Sequence, residues 1–156
     1  MRRLARRRGT AVSILRAPGI YGAGRTSLAR LRRRDPVLTA GDDVFTSHIH
    51  ADDLARAACL ALFRAGGGRV FNLNDDTRMT MGDYFDLMAD VFELPRPPRL
   101  SRAEAEKVLS PAALSFMSES RRLDNRRMKR ELRLALRYPT VREGLLHARA
   151  CDGAID

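Results

Sequence analysis

Two segments of this chain have the side-chain pattern of strands that are buried on both faces. In residues 10–16, Ile14 and Leu15 occupy consecutive positions, so in an extended segment they point to opposite faces. Residues 70–73 (VFNL) also place apolar side chains on both faces. A strand of this kind belongs to a parallel sheet, and such a sheet needs helices on each side. The two segments therefore predict an α/β fold.

Between these segments, turn signals surround one long helix. A glycine-rich loop is predicted at residues 18–25 (PGIYGAGR), followed by a short helix that begins near Ser27. Residues 35–50 contain two short β-like pieces around a turn at 41–43 (GDD), which predicts a hairpin. Residues 51–65 are predicted to be a helix. Its apolar stripe is Leu54, Ala58 and Leu62.

The C-terminal third is predicted to be mostly helical. Helix starts are expected at Thr80, at Ser101 (which has glutamate three residues later, as in a capping box) and at Ser110, which precedes proline. Further helices are expected at 125–134 and 140–150. Such a chain supplies few strands for its number of helices, and this imbalance indicates that the N-terminal half of the sheet is missing.

The net charge of +10 is concentrated in one segment. Residues 1–34 contain eleven arginines and no acidic residue, whereas the remaining residues are almost neutral. Only two of the 29 basic residues of the chain, Lys107 and Lys129, are lysines. So strong a preference for arginine favours a coding bias or a solvated face over a nucleic-acid site. We therefore expect no nucleic-acid partner. The alternatives for residues 1–34 are binding of a polyanion and a face that normally contacts other protein.

The cysteine content and hydropathy indicate a cytoplasmic protein. Two cysteines, Cys59 and Cys151, are too few for a disulfide framework, and no secretory signal is recognised. No apolar run approaches the ~18–20 residues that a membrane span requires. We expect a reducing, cytoplasmic compartment and no membrane partner.

Metal and phosphate motifs give little support for a site. The chain has no C-x-x-C, H-E-x-x-H or Walker-type motif, so no metal site is predicted. His48 and His50 would share a face of an extended segment, but no third histidine or cysteine is near them in sequence. Asp52 and Asp53 are predicted to cap a helix. The residues at 74–76 (NDD) have ordinary turn chemistry, with ligand contact as the minor alternative.

Four segments taken together resemble a known family. They are LRAPGIYGAGR at 15–25, HIHADDLARA at 48–57, VFNLNDD at 70–76 and the tail at 125–145. In this order and spacing they are similar to the extended short-chain dehydrogenase/reductase family, which is also called the NAD-dependent epimerase/dehydratase family. The resemblance implies a Rossmann-type doubly wound sheet with a smaller substrate subdomain. Residues 1–76 would supply the last strands and helices of that sheet with a hairpin insertion, and 77–156 the mostly helical substrate-binding subdomain.

The resemblance also shows what this sequence lacks. In the family, a glycine-rich turn binds the cofactor pyrophosphate, and a Y-x-x-x-K pair supplies the catalytic acid/base. No G-x-x-G-x-x-G and no Y-x-x-x-K can be written with the residues of this chain. We therefore predict no catalytic residue here. We expect NAD or NADP to be the cofactor of the complete family enzyme and not to be bound by this chain alone.

Three residues match the family's cofactor-facing loop. Pro18, Gly19 and Ile20 fall where the family's backbone lies against the nicotinamide, and glycine permits such close approach. Sugar-nucleotide enzymes of the family commonly carry asparagine at the position of Gly19. The resemblance therefore implies cofactor contact at these residues without indicating a nucleotide-sugar substrate.

Three other residues match positions near the family's substrate cleft. These are Tyr21, Arg25 and His48, with core packing as the alternative for Tyr21. His50 and Asp53 match the family's H-x-x-D element, which we interpret as structural, orienting a loop and starting a helix.

The leading hypothesis is a C-terminal part of an NAD(P)-dependent epimerase/dehydratase-like oxidoreductase that is inactive alone. Its expected partners are a small-molecule substrate in the complete enzyme and a separate N-terminal half. A non-enzymatic binding or assembly module that reuses the fold is the alternative from another class.

Overall fold

The structure, a computed structural model, describes residues 11–153. Its strands are β1 (Ile14–Arg16), β2 (Gly19–Tyr21), β3 (Val37–Leu38), β4 (Phe45–Thr46), β5 (His48–His50), β6 (Val70–Asn72), β7 (Met79–Thr80) and β8 (Arg99–Leu100). Its helices are α1 (Leu28–Arg32), α2 (Ala51–Arg64), α3 (Met81–Val91), α4 (Arg102–Val108), α5 (Pro111–Phe116), α6 (Arg126–Glu131) and α7 (Val141–Asp152). The first ten residues of the arginine-rich segment lie outside the described range. No helix within that range is both long and apolar enough to cross a membrane.

The described strands pair two by two, and three of the four pairs are parallel. β1 pairs with β6, with Leu15 opposite Phe71. β2 pairs with β5, with Ile20 opposite Ile49. β3 and β8 form the third parallel pair, whereas β4 and β7 are antiparallel. The prediction of an α/β fold in which β1 and β6 are parallel strands is confirmed.

Three apolar clusters hold the described elements together, and each of the two larger ones packs a strand against helices. One joins Tyr21 and Leu31 to Tyr84, Met88 and Leu145, and thus packs β2 and α1 against α3 and α7. The other joins α2 and β6 to α6 and the segment that follows it. Both clusters contain residues from each side of position 76. The division into 1–76 and 77–156 stays a prediction.

The glycine-rich segment at residues 18–25 was predicted to be a loop, but part of it is a strand. Residues 19–21 form β2, whose amides and carbonyls pair with β5. The predicted turn lies just after this strand, where the amide of Arg25 donates a hydrogen bond to the carbonyl of Gly22 at 3.0 Å. Pairing with a strand nearly thirty residues away overrides the local preference of glycine for a turn.

The predicted hairpin at residues 35–50 is wrong. The turn itself exists, since the amide of Asp42 donates to the carbonyl of Thr39 at 2.9 Å. However, β3 and β4 diverge from it and pair with other strands. The carboxylates of the two aspartates in the turn bind other elements instead. Asp42 accepts a hydrogen bond from the amide of Arg102, and Asp43 accepts one from the amide of Gly82, each at 2.9 Å. They satisfy free amides at the starts of α4 and α3.

The helix predicted at residues 51–65 is present as α2, but two details differ. Its N-cap is His50, whose Nδ1 accepts the amide of Asp52 at 3.2 Å, so neither Asp52 nor Asp53 caps it as predicted. The buried stripe centres on Ala57, whereas Leu62 is 81% exposed. Because Asp53 faces inward, the helix is rotated about one residue away from the predicted stripe.

The caps predicted for the later helices are confirmed. Thr80 caps α3, Ser101 forms a capping box with Glu104 at the start of α4, and Ser110 caps α5. The last helix, α7, also begins with a capping box, formed by Thr140 and Glu143. These starts depend on residues three apart, which explains why the sequence alone is informative there.

Candidate functional site

The candidate site is built on the parallel pair of β2 and β5. Gly19 lies opposite His48 in this pair, and all three residues of β5 are buried. A Cβ atom at Gly19 would lie 2.6 Å from Cδ2 of His48. The absence of a side chain at Gly19 is therefore what allows the imidazole to occupy its place.

His48 is held between aromatic rings. It stacks on Tyr84 with a centroid separation of 3.9 Å, and Tyr21 meets it edge-on at 6.2 Å. Burial lowers the pKa of His48 to about 4. At neutral pH the ring is consequently uncharged, and it can donate one hydrogen bond and accept another.

A cleft with a volume of about 180 Å³ lies beside this imidazole. Four residues predicted from the resemblance line it together, namely Pro18, Gly19, Ile20 and His48. The side chains that complete its wall include Ser27, Arg30, Ser47, Tyr84, Phe116 and Arg121. The structure thus brings the predicted cofactor residues and one predicted substrate residue to one place.

The two arginines in the cleft wall were not predicted. Arg30 lies on α1 with its guanidinium 4.6 Å from the centre of the Phe85 ring. It also forms an ion pair with Asp35, and Arg121 forms one with Glu119. The sequence carries no specific signal for them, since they are two among 27 arginines and the segments that hold them are distant in sequence.

Tyr21 and Arg25 do not line this cleft. The side chain of Tyr21 is 1% exposed and donates a hydrogen bond to the carbonyl of Thr140 at 3.4 Å. It packs against α7 so closely that a Cβ atom at Gly144 would lie 2.4 Å from its hydroxyl oxygen. Arg25 is exposed in the turn that follows β2. A substrate role for either residue stays a prediction.

A buried carboxyl group lies close to β5. Asp75 follows β6, and its amide donates to the carbonyl of His48 at 2.8 Å. Burial raises the pKa of Asp75 to about 7, although its Oδ1 accepts the amide of Thr77. Its Oδ2 has no hydrogen-bond partner within residues 11–153. The sequence predicts a turn at Asp75, and the available signal for a site is its place at the carboxyl end of a parallel strand.

The H-x-x-D element has the structural role predicted for it. His50 caps α2, and the carboxylate of Asp53, which is fully buried, accepts the amides of Arg137 and Tyr138 at 2.9–3.0 Å. The guanidinium of Arg56 also forms an ion pair with the Asp53 carboxylate at 2.9 Å. The pair therefore starts one helix and fixes the loop that leads to α7.

The polar side chains of the cleft differ in how far they are available to a ligand. The hydroxyl of Ser47 donates to the carbonyl of Arg121 at 3.2 Å, so it is engaged in the fold. Burial lowers the pKa of His48 to about 4, so this ring is uncharged at neutral pH. The arrangement suits recognition of an uncharged or weakly polar group beside cationic side chains.

Comparison with known proteins reveals a shared fold. No protein-family model matches the chain, and no curated protein matches it significantly. A conserved protein of unknown function from Silicibacter pomeroyi has a solved structure that is 33% identical, with a TM-score of 0.77 over 88% of this chain and 47% of its own. A nucleoside-diphosphate-sugar epimerase from Pseudomonas aeruginosa is 21% identical, with a TM-score of 0.77 over 98% of this chain and 51% of its own.

A third solved structure, a human epimerase family protein with NADPH, is 18% identical, with a TM-score of 0.73 over 90% of this chain and 49% of its own. The chain therefore has the α/β fold of epimerase structures and spans about half the length of the solved chains that it matches.

Proposed function

We propose that this chain is the C-terminal part of an NAD(P)-dependent oxidoreductase of the epimerase/dehydratase kind. The main observation in support of this proposal is the cleft beside β2. Pro18, Gly19 and Ile20, assigned to the cofactor by the resemblance, line it together with His48. The shared fold of epimerase structures, one of them with NADPH, supports this proposal.

The cleft fits one end of such a cofactor. Its volume of about 180 Å³ is smaller than the roughly 300–1,000 Å³ of a complete ligand pocket. The exposed backbone of Gly19, which has no side chain, permits close approach of a flat ring. His48 is uncharged there, so it adds no positive charge beside an oxidised nicotinamide. When bound, the nicotinamide supplies hydride exchange with a carbinol or carbonyl carbon.

The contribution of this chain is to bind and orient. Gly19 and Ile20 would let the cofactor approach the backbone closely, and His48 would donate or accept one hydrogen bond. Pyrophosphate binding and proton transfer would come from an N-terminal half that carries the glycine-rich turn and the Y-x-x-x-K pair. In this proposal residues 1–76 complete the sheet, and residues 77–156 form the substrate-binding side in a cytoplasmic enzyme.

The substrate is proposed to be a small molecule other than a nucleotide sugar. Sugar-nucleotide enzymes of the family commonly carry asparagine where this chain has Gly19. A Cβ atom there would lie 2.6 Å from His48, so no side chain fits while the imidazole keeps its position. Gly19 and His48 thus form a matched pair that reserves this space for the imidazole.

A cofactor titration tests the proposal. We expect no saturable NADH binding at millimolar concentration by the chain alone, and binding once an N-terminal half with both missing motifs is supplied. Gly19→Trp should abolish the binding of the reconstituted pair. The matched control is Gly41→Trp, because no atom lies within 4 Å of a Cβ at that exposed glycine.

The cofactor titration is followed by calorimetry, and two results would contradict the proposal. Binding by the chain alone that Gly19→Trp abolishes would show that the missing motifs are not needed. A reconstituted pair that binds no NADH or NADPH would refute the cofactor assignment itself.

A further inference from the structure

A second polar cluster lies near β5, and none of its members lines the cleft. His50, Asp52 and His147 each present one donor atom, and these atoms lie within 4.8 Å of one another. The three residues come from the end of β5, the first turn of α2 and the middle of α7. Two of the three histidines of the chain therefore meet, although 97 positions separate them.

The aromatic ring of Tyr138 helps to hold the two imidazoles in place. Its centroid lies 4.0 Å from that of His50 and 4.8 Å from that of His147. The imidazoles themselves are 5.4 Å apart, centroid to centroid. Both rings are thus packed against a common surface before any ligand arrives.

Cys151 lies beside His147 but outside the group of three, whose donor atoms are all within 4.8 Å of one another. It follows His147 by four residues on α7 and so lies on the same helix face. Its Sγ is 3.6 Å from Nε2 of His147. In a tetrahedral zinc site, metal–ligand bonds of 2.0–2.3 Å place neighbouring donors about 3.3–3.6 Å apart. The helix therefore already presents this donor pair at the separation that zinc requires.

On each imidazole, one nitrogen lies near another donor of the cluster and the other has no partner among the described residues. Nδ1 of His147 and Nε2 of His50 have no hydrogen-bond partner among the residues that the structure describes. Nδ1 of His50 accepts the amide of Asp52, so its lone pair is unprotonated and lies 3.9 Å from the Asp52 carboxylate. A bound ion would take over this lone pair and displace a long capping bond of 3.2 Å.

We propose that His50, Asp52 and His147, with Cys151 as the fourth donor, bind one divalent ion of the zinc class. Two imidazoles, a carboxylate and a thiolate are ligands that Zn²⁺ accepts, and four protein ligands make a closed, structural site. The ion would tie the end of β5 and the start of α2 to α7. Asp52 would leave Arg137, whose guanidinium is 4.0 Å away. This proposal is independent of the proposed function, because it uses no residue of the cleft.

Metal titration of the full chain tests the site. The chain is purified without a polyhistidine tag, fused to a carrier protein that binds no metal, and titrated with Zn²⁺ by calorimetry and with Co²⁺ by absorption. We expect one equivalent of each ion per chain. Cobalt should show the intense bands of a tetrahedral site together with a thiolate-to-metal charge-transfer band.

Single substitutions identify the ligands. His147→Gln and Asp52→Asn should each weaken Zn²⁺ binding by about tenfold or more, since even partners behind the ligands cost 10–100-fold. Cys151→Ser should remove the thiolate band. Its matched control is Cys59→Ser, because Cys59 is an exposed free cysteine on α2, away from the cluster. Circular dichroism without metal confirms that each variant keeps the helix content of the parent.

Three outcomes would overturn the site. The first is the absence of stoichiometric binding, and the second is unchanged affinity in both His147→Gln and Asp52→Asn. The third is loss of the thiolate band in Cys59→Ser with its retention in Cys151→Ser, which would place the ion elsewhere.

Discussion

At the scale of single residues, close approach at Gly19 shapes the cleft. The glycine is exposed and is not among the glycines with positive φ, and His48 fills the space that a side chain would need. The resemblance predicted glycine there for contact with the cofactor. The contact with His48 could not be predicted, because it depends on the register of two strands that lie far apart in sequence.

Replacement of Gly19 by alanine should therefore destabilise the protein. The added methyl group forces His48 out of its stack on Tyr84, and overpacking of this kind costs about 1–3 kcal/mol. Gly41→Ala is the control and should change the free energy of unfolding by less than about 0.5 kcal/mol. Urea unfolding of both variants measures the difference. Equal stability of the two would contradict the packing described for His48.

The buried carboxyl of Asp75 predicts a pH dependence. Its pKa is raised by burial to about 7 in the folded chain, against about 3.9 when unfolded. The folded state binds this proton more tightly, so stability falls as the pH rises from about 4 to about 7. Asp75→Asn cannot ionise and should gain stability relative to the parent across that range. Unfolding midpoints at pH 4, 5.5 and 7 measure this gain.

The neighbouring carboxyl group, that of Asp76, supplies a control in which stability should depend on pH in the opposite direction. Burial alone would raise the pKa of Asp76, but hydrogen bonds from Asn125 and Lys129 lower it. Asp76→Asn should therefore lose stability relative to the parent as the pH rises toward about 4, a change that unfolding midpoints below pH 4 detect. His48, whose pKa burial lowers, affects parent and variants alike. A pH-independent difference between Asp75→Asn and the parent would refute the buried, neutral carboxyl.

At the scale of elements, the sequence predicts what depends on neighbours and misses what depends on distant partners. The capped starts of α3, α4, α5 and α7 follow from residues three apart. By contrast, β2 and the failure of the hairpin follow from pairing with segments far along the chain. The cleft behaves in the same way, since its loop residues were predicted and its two arginines were not.

Asp53 links two elements and should be sensitive to substitution. Its buried carboxylate accepts two amides of the loop before α7 and one guanidinium bond. Asp53→Ala leaves these donors without their acceptor, and loss of one buried charged partner typically costs about 3–5 kcal/mol. Asp90→Ala removes an exposed pair with Arg96 and should cost far less, since exposed ion pairs contribute little to stability. Chemical denaturation compares the two, and a similar small loss for both would contradict the anchoring role of Asp53.

At the scale of the whole molecule, the described sheets are small and some large apolar side chains are exposed. Every sheet within residues 11–153 has two strands, and a parallel sheet is normally covered by helices on both faces. Leu62 and Phe63, at the end of α2, are 81% and 87% exposed. Strand edges without partners and exposed apolar side chains promote association with other chains.

The size and thermal unfolding of the chain, expressed alone and together with an N-terminal half, test the central claim most directly. Each large apolar side chain left in water forfeits roughly 1.5–3 kcal/mol, a substantial part of a typical stability of about 5–15 kcal/mol. We predict that light scattering finds aggregates, or a broad and irreversible transition, for the chain alone, and a soluble complex when the N-terminal half is present. A monodisperse monomer with a sharp, reversible transition would contradict the account and indicate a self-sufficient small domain.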